Sequence, residues 1–301
     1  MSHNPAQADM RIFLIPMLAA SALHAEPAFR LQPHPATLSS PAIAEASGLA
    51  FSPTDADFLW IVNDSGGTNE VHLANTDGTP RGSISVVGAT NLDWEDMAGF
   101  TLDGKPHLLI ADTGDNNSNR KSVTLFIIQE PPLPTVGENI FGKVPVAWEI
   151  NFTFADGARD CEAVAVDAAG RKIILVSKRT EPPAVYELPL RPGKDPIARM
   201  MGTTETVATG ITLPLAFRNQ PTGLDISADG TMAAISTYHG AFLFRRKPGE
   251  TWTETFTRKP EALGPHGLFQ AEAIAFAPDG MAIHLLSEGK DSPIARYMAA
   301  P

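Results

Sequence analysis

One cysteine, Cys161, stands in a chain of 301 residues. No intrachain disulfide can form and no cysteine-based zinc site can be built, so Cys161 reads as a small core residue beside Glu162. Long apolar runs are scarce as well. Beyond residue 25 no stretch is apolar for long enough to cross a bilayer. Basic charge is in deficit: 23 Lys and Arg against 34 Asp and Glu leave a net charge of −11, which argues against nucleic acid as a partner. Familiar catalytic signatures are missing too. There is no G-x-S-x-G elbow, H-E-x-x-H pair, phosphate-binding G-x-x-x-x-G-K-[ST] loop or G-x-G-x-x-G turn, and hydrolysis through an activated serine has no support.

What is present is 43% hydrophobic residues, enough for a sizeable core. The segment MRIFLIPMLAASALHA, Met10 to Ala25, places one Arg ahead of a short apolar run and then small residues. It reads as an export signal at 10–25, within a leader spanning 1–25 and cleaved near Ala25; the alternative is a disordered or core-packed N-terminal segment. Residues 26–301 then form a single domain, expected in the periplasm or medium with no stable membrane insertion once the leader is removed.

Five phrases repeat: ASGLAFSPTDADFLWIVND from Ala46, WEDMAGFTLDGKPHLLIAD from Trp94, CEAVAVDAAGRKIILVSK from Cys161, PTGLDISADGTMAAISTYH from Pro221 and AEAIAFAPDGMAIHLLSEG from Ala271. Each holds a polar residue, an apolar strand, an Asp-Gly-like turn and a second apolar strand, the pattern of a β-hairpin. The spacing suits a four-stranded unit with variable loops. Third strands follow at NEVHLAN, SVTLFII, AVYELPL, AFLFRRK and IARYMAA. Fourth strands are expected at GSISVVG, VAWEINFTF, TTETVATGI and TWTETFTRK. The last unit runs out of chain, and AFRLQPHPATL, Ala28 to Leu38, can supply its missing strand. The fold class is all-β, a β-propeller of five four-stranded blades closed by an N-terminal strand. Six blades, with a hidden hairpin between Glu95 and Glu162, is the second reading, and a β-sandwich the third.

In such a ring the first strands line a central channel, so Ser47, Glu95, Glu162, Thr222 and Glu272 converge. Two unit charges ~4 Å apart repel by about 4 kcal/mol at an effective dielectric near 20, so three carboxylates need protons, a basic partner or a cation. The oxygen-rich donor set favours calcium over magnesium. The bland alternative has these groups bind backbone amides or water, or pair with Arg159 or Arg218. The order Ser47, Glu95, Glu162, Thr222, Glu272 resembles the axial Ser, Glu, Glu, Ser, Glu set of five-bladed calcium-activated nucleotidases of the apyrase type, which implies the same fold and an axial calcium. The DWED segment Asp93 to Asp96, the GDNN loop Gly114 to Asn117 and Glu130-Pro131 resemble exported bacterial proteins of little-defined function. The phrases EASGLAF and AEAIAFAPDG are similar to phytase-like and esterase-like propellers.

The ends of the second strands share one face of the ring, and they bring Asn63, Asp64, Asp112, Asp115, Asn116, Lys178, Arg179, Tyr238, His239, Glu288 and Lys290 to the channel mouth, with Arg120 and Lys121 from a loop. This mixture suits a polar or anionic small ligand. For phosphate-ester or anhydride hydrolysis, Lys178, Arg179 or Arg120 would bind oxygens and Asp64, Asp112 or His239 would serve as general base; each residue taken singly is an ordinary turn or surface residue. The loop from Asp115 fails the EF-hand pattern, since its sixth position is Arg120 and its twelfth Phe126, and it reads as a turn-rich rim loop. Three functions remain open: a calcium-dependent hydrolase, a calcium-stabilised binding propeller without catalysis, and a structural propeller for protein contacts whose partner the sequence does not name.

Overall fold

A computed structural model describes residues 1, 28–33, 36–193, 196–206 and 219–300. The expected export segment Met10–Ala25, Arg218 and the end of TTETVATGI lie outside the described residues. The described chain is almost wholly β. After β1 (Phe29–Leu31) and β2 (Ala36–Leu38), five antiparallel units follow one another. Unit 1 is β3 (Ala46–Phe51), β4 (Phe58–Asn63), β5 (Glu70–Asn75) and β6 (Pro80–Val87). Unit 2 is β7 (Trp94–Leu102), β8 (Lys105–Asp112), β9 (Val123–Gln129) and, after β10 (Ile140–Pro145), β11 (Trp148–Phe154). Unit 3 is β12 (Ala163–Asp167), β13 (Lys172–Val176), β14 (Ala184–Pro189) and β15 (Ile197–Thr203). Unit 4 is β16 (Gly223–Ile226), β17 (Met232–Ser236), β18 (Ala241–Arg245) and, after α1 (Trp252–Phe256), β19 (Glu261–Ala262). Unit 5 is β20 (Ala271–Phe276), β21 (Ala282–Ser287) and β22 (Ser292–Ala299).

Alternation along each strand explains why the units assemble. Successive side chains point to opposite faces, and both faces here are apolar. On β8, Leu108 and Ile110 pack against unit 1 while Leu109 and Ala111 pack against unit 3. On β13, Ile173 and Leu175 face unit 2 while Ile174 and Val176 face unit 4. Five apolar clusters result, one between each pair of successive units and one between units 5 and 1. The first strands β3, β7, β12, β16 and β20 touch in that order, and β20 returns to β3. Gly48 lets two of them meet, since a Cβ there would lie 2.8 Å from the backbone of Asp96 and Met97.

The fourth strand of unit 3 falls at Ile197–Thr203 and not over TTETVATGI, of which only Thr203 is strand among the described residues. Three further departures from the sequence reading have physical causes. The long stretch between Glu95 and Glu162 hides no further hairpin. It gives β10, which pairs parallel to β6 and extends unit 1. Units 2 and 3 share one eight-stranded sheet through a short parallel contact, Thr153 with Ile197 and Phe154 with Ala198. TWTETFTRK, expected as a fourth strand, instead begins with α1. Thr251 caps the helix by accepting the Glu254 amide, and the Glu254 carboxylate accepts the Thr251 amide in return. Trp252 and Phe256, one turn apart, are both buried, and the short β19 takes the edge. The closing segment behaves as expected: β1 and β2 both pair antiparallel with β22.

Candidate functional site

Local irregularity in the first strands positions the convergent residues. The pairing of β3 with β4 slips between Ala46 and Gly48, that of β7 with β8 between Trp94 and Asp96, and that of β20 with β21 between Ala271 and Ala273. The residue left unpaired at each slip is Ser47, Glu95 or Glu272. A β-bulge re-aims the side chain it carries, so three units use the same device. Glu162 and Thr222 occupy the corresponding place just ahead of β12 and β16. All five are buried.

The hydroxyls in this set tie neighbouring units together. Ser47 Oγ donates to the Trp94 carbonyl at 2.8 Å, and Thr222 Oγ1 donates to the Ala271 carbonyl at 2.7 Å. In each case the acceptor immediately precedes the acidic residue of the next unit. Unit 2 has Glu95 at the hydroxyl's place and uses Thr113 instead, whose Oγ1 donates to the Cys161 carbonyl at 2.7 Å. Replacing Thr222 by Val is expected to cost about 1–3 kcal/mol, since a buried carbonyl loses its donor, while leaving cation-induced stabilisation intact. Denaturant melts with and without calcium check both parts.

The carboxylates gather more densely than the five first-strand residues alone suggest. Asp64, Asp93 and Glu95 form one group, and Glu95, Asp160 and Glu162 a second; in each, one oxygen per residue lies within 4.8 Å of the others. Asp93 and Asp160 were missed by the sequence reading, though a signal for them exists: each sits two residues before its glutamate, in DWE and DCE. The same offset holds Glu45, Gln220 and Gln270 in the other units, a second polar position in each phrase. Gly114 makes room for the acidic pair, because a Cβ there would overlap Glu95 Oε1 and Asp93 Oδ2.

Burial raises these carboxyls. Asp93 is pushed up to about 6 by burial and then by Asp64 and Asp160. Glu95 stands well above the ordinary glutamate value through burial and then Glu162 and Asp64. Asp64 is also raised, by burial above all. Glu162 is pushed to about 8 by burial despite the opposing charge of Lys178. Lys178 is the one buried ammonium among the described residues. Its Nζ contacts Glu162, lies 3.9 Å from Glu272 and donates to Tyr238 Oη at 3.2 Å. Burial opposes its charge, but Glu162 and Glu272 outweigh burial and hold it above the usual lysine value. Tyr238 in turn donates to Glu272.

The other rim residues divide by task. Asp112 accepts the amides of Leu92 and Asp93 at 3.3 and 3.2 Å and pairs with Arg120 at 2.8 Å, so it braces the segment carrying Asp93. Asp115 closes its own loop by accepting the amides of Asn119 and Arg120 at 2.9 Å, and its amide donates to Asp160. Arg179, in the left-handed region at φ 60°, pairs with Asp160 at 2.5 Å and donates to Asn116. Asn63 brackets the loop before β3 through the Ala42 carbonyl and the Glu45 amide. Glu288 accepts from Gln270 at 2.8 Å and is raised to about 8, first by burial and then by Glu272. His239 belongs to the Thr237–Gly240 turn, where its amide donates to Thr237 Oγ1. Lys290 is exposed in the turn after β21. The structure thus brings Asp64, Glu95, Glu162, Glu272, Lys178 and Tyr238 together, whereas Asp112, Asp115 and Asn63 serve as supports around them.

No family model matches the chain, and no curated protein does. Among solved structures it is similar to Raptor from Chaetomium thermophilum, with 12% identity and a TM-score of 0.46 over 91% of this chain. The chain spans 29% of Raptor's length, and a likeness at this level carries no argument about function.

Proposed function

We propose that this chain is an exported five-bladed β-propeller whose channel mouth binds a divalent cation, calcium by preference, and offers it to a polar or anionic small molecule. The cyclic order of first strands and the five inter-unit cores support the propeller; export rests on the leader-like Met10–Ala25 segment. The observation that carries the cation is the gathering of carboxylates into two groups that share Glu95, Asp64 with Asp93 and Glu95, and Glu95 with Asp160 and Glu162, the Asp93 and Glu95 oxygens lying against Gly114. The donors are carboxylate oxygens, the chemistry a hard cation takes. Ser47, Thr222 and Glu272 complete the surrounding ring through the ties already described. Bound calcium would supply charge neutralisation and orientation for an anionic group. Lys178 and Arg179 hold positive charge beside it, and Arg120 keeps the Asp93 segment in place.

Binding is the first reading. Hydrolysis of a phosphate ester or anhydride is the second, favoured by Asp64, whose raised carboxyl makes it the candidate base that joins the acidic group.

Thermal melts of the protein from Glu26 onward, in chelator and in calcium, test the reading. A ligand specific to the native state adds about 2.7 kcal/mol at one hundred times its dissociation constant, so a rise of several degrees is expected. The raised carboxyls hold protons more tightly folded than unfolded. Their stabilising contribution is therefore full below the ordinary carboxyl range and is lost as pH rises through about 6 for Asp93 and about 8 for Glu162. Stability in chelator should fall across that window, and the calcium-induced rise should grow as protons cease to compete. Asp93→Asn and Glu162→Gln should each shrink it. Equal melts in chelator and calcium at every pH would overturn the proposal.

A further inference from the structure

Away from the channel, on the outer side of unit 4, the end of β18, the turn after it and the chain leaving α1 enclose a cavity of about 320 Å³. Its charged lining is Arg245, Arg246, Lys247, Arg258, Lys259 and Glu261. Five cations in one pocket are unexpected in a chain whose net charge is −11. The helix that replaces the expected strand is what builds it, since Thr255 and Arg258 reach the cavity only because the chain turns through α1 before β19.

The internal charges do not balance. Arg245 pairs with Glu261 at 3.3 Å, Arg246 with Asp167 at 3.1 Å and Arg258 with Glu250 at 2.7 Å. Lys247 and Lys259, both exposed, have no acidic partner among the described residues. Arg258 carries a second deficit. One terminal nitrogen donates to the Arg245 carbonyl at 2.6 Å and to Glu250, but its Nε is enclosed and has no acceptor among the described residues. An enclosed donor without a partner costs the folded chain free energy. Solvated surface charge accounts for the two lysines alone and leaves that nitrogen unexplained.

We propose that this cavity binds a phosphate-type oxyanion borne by a small molecule. Two ammonium groups without acidic partners match a dianion, and the guanidinium of Arg258 adds positive charge to the same lining. The volume lies at the small end of the range for ligand pockets, which suits a phosphomonoester better than a long polyanion. The site is independent of the acidic channel mouth and requires no metal.

Titration calorimetry of the protein in chelator, with inorganic phosphate and then glycerol phosphate as probes, tests the inference. One saturable site that weakens with added salt is expected. A Lys247→Gln, Lys259→Gln double variant should bind about tenfold more weakly or worse, because both charge-assisted contacts to the oxyanion are lost. Arg258→Lys should weaken binding comparably, with the calcium response of the melt unchanged as the sign of an intact fold. Tighter binding of glycerol phosphate than of free phosphate would assign the site to an esterified ligand, and the reverse order to the free ion. Absence of saturable binding, or equal affinity in the double variant and the parent, would overturn it.

Discussion

Gly114→Ala is expected to abolish the calcium-dependent rise in melting temperature and to destabilise the protein in chelator by about 1–3 kcal/mol, the usual cost of forcing extra volume into a packed site. The reason is local and steric. A methyl group at 114 would occupy the same space as Glu95 Oε1 and Asp93 Oδ2, and of the two the buried Glu95 has the less room to retreat. Glu95 projects from the bulge of β7, and the segment before it is pinned through Leu92 and Asp93 to Asp112. The carboxylates would have to part, and a cation held between them would lose at least one ligand. Asn117→Ala, an exposed change in the same loop, should leave both the melt and its calcium response as they are. Calcium titration of the two variants separates space at residue 114 from loop stability in general. If Gly114→Ala retained the full response, the acidic groups of units 2 and 3 would not be the binding site.

The units were legible because their signal is local and repeated. A polar residue, an apolar strand, an Asp-Gly-like turn and a second strand recur five times, and the observed β3–β4, β7–β8, β12–β13, β16–β17 and β20–β21 pairs follow those phrases. Where two local readings competed, the sequence pattern was ambiguous. TWTETF alternates as a strand does, yet it also contains the reciprocal Thr251 and Glu254 cap, and burial of both Trp252 and Phe256 favours the helix. The site was legible in part for a similar reason. Aligning the units picks out Ser47, Glu95, Glu162, Thr222 and Glu272, but the alignment carries no depth. It does not reveal that bulges turn three of these residues, that the hydroxyls are spent on neighbouring carbonyls, or that Asp93 and Asp160 lie at the same level as the glutamates two residues on. Asp96 shows the limit most clearly. Adjacent to Glu95 in sequence, it points the other way into the core, accepts the amides of Val164 and Leu224 at 2.8 and 3.1 Å, and thereby joins units 2, 3 and 4. Its carboxyl is raised well above the ordinary value by burial.

Lys178→Met is expected to have the largest effect on stability, and the effect should depend on pH. The ammonium is buried against Glu162 and Glu272, and removing one partner of a buried ion pair commonly costs about 3–5 kcal/mol because the other charge is left without compensation. With Lys178 in place burial raises Glu162 to about 8, and losing the ammonium, which lowers it, raises it further, so at neutral pH the variant's carboxyl takes up a proton and the cost falls. Past about 8 the parent's carboxylate ionises beside its ammonium while the variant's has no such partner, and the penalty grows. Chelator melts of the variant and the parent should therefore diverge as pH climbs past about 8. Calcium should act in the opposite sense. A fixed ammonium beside the acidic groups would repel a divalent ion, so the variant should gain more from calcium than the parent does. A Lys178→Met, Glu162→Gln double variant removes both charges; in chelator it should recover most of the lost stability and lose most of the pH dependence, since a neutral pair of similar volume is often tolerated where a broken ion pair is not. Its response to calcium should be smaller than that of the single Lys178→Met variant, because Glu162 also contributes to the second acidic group. A single variant that melts in parallel with the parent from pH 5 to 9 would mean that Lys178 does not neutralise the acidic centre.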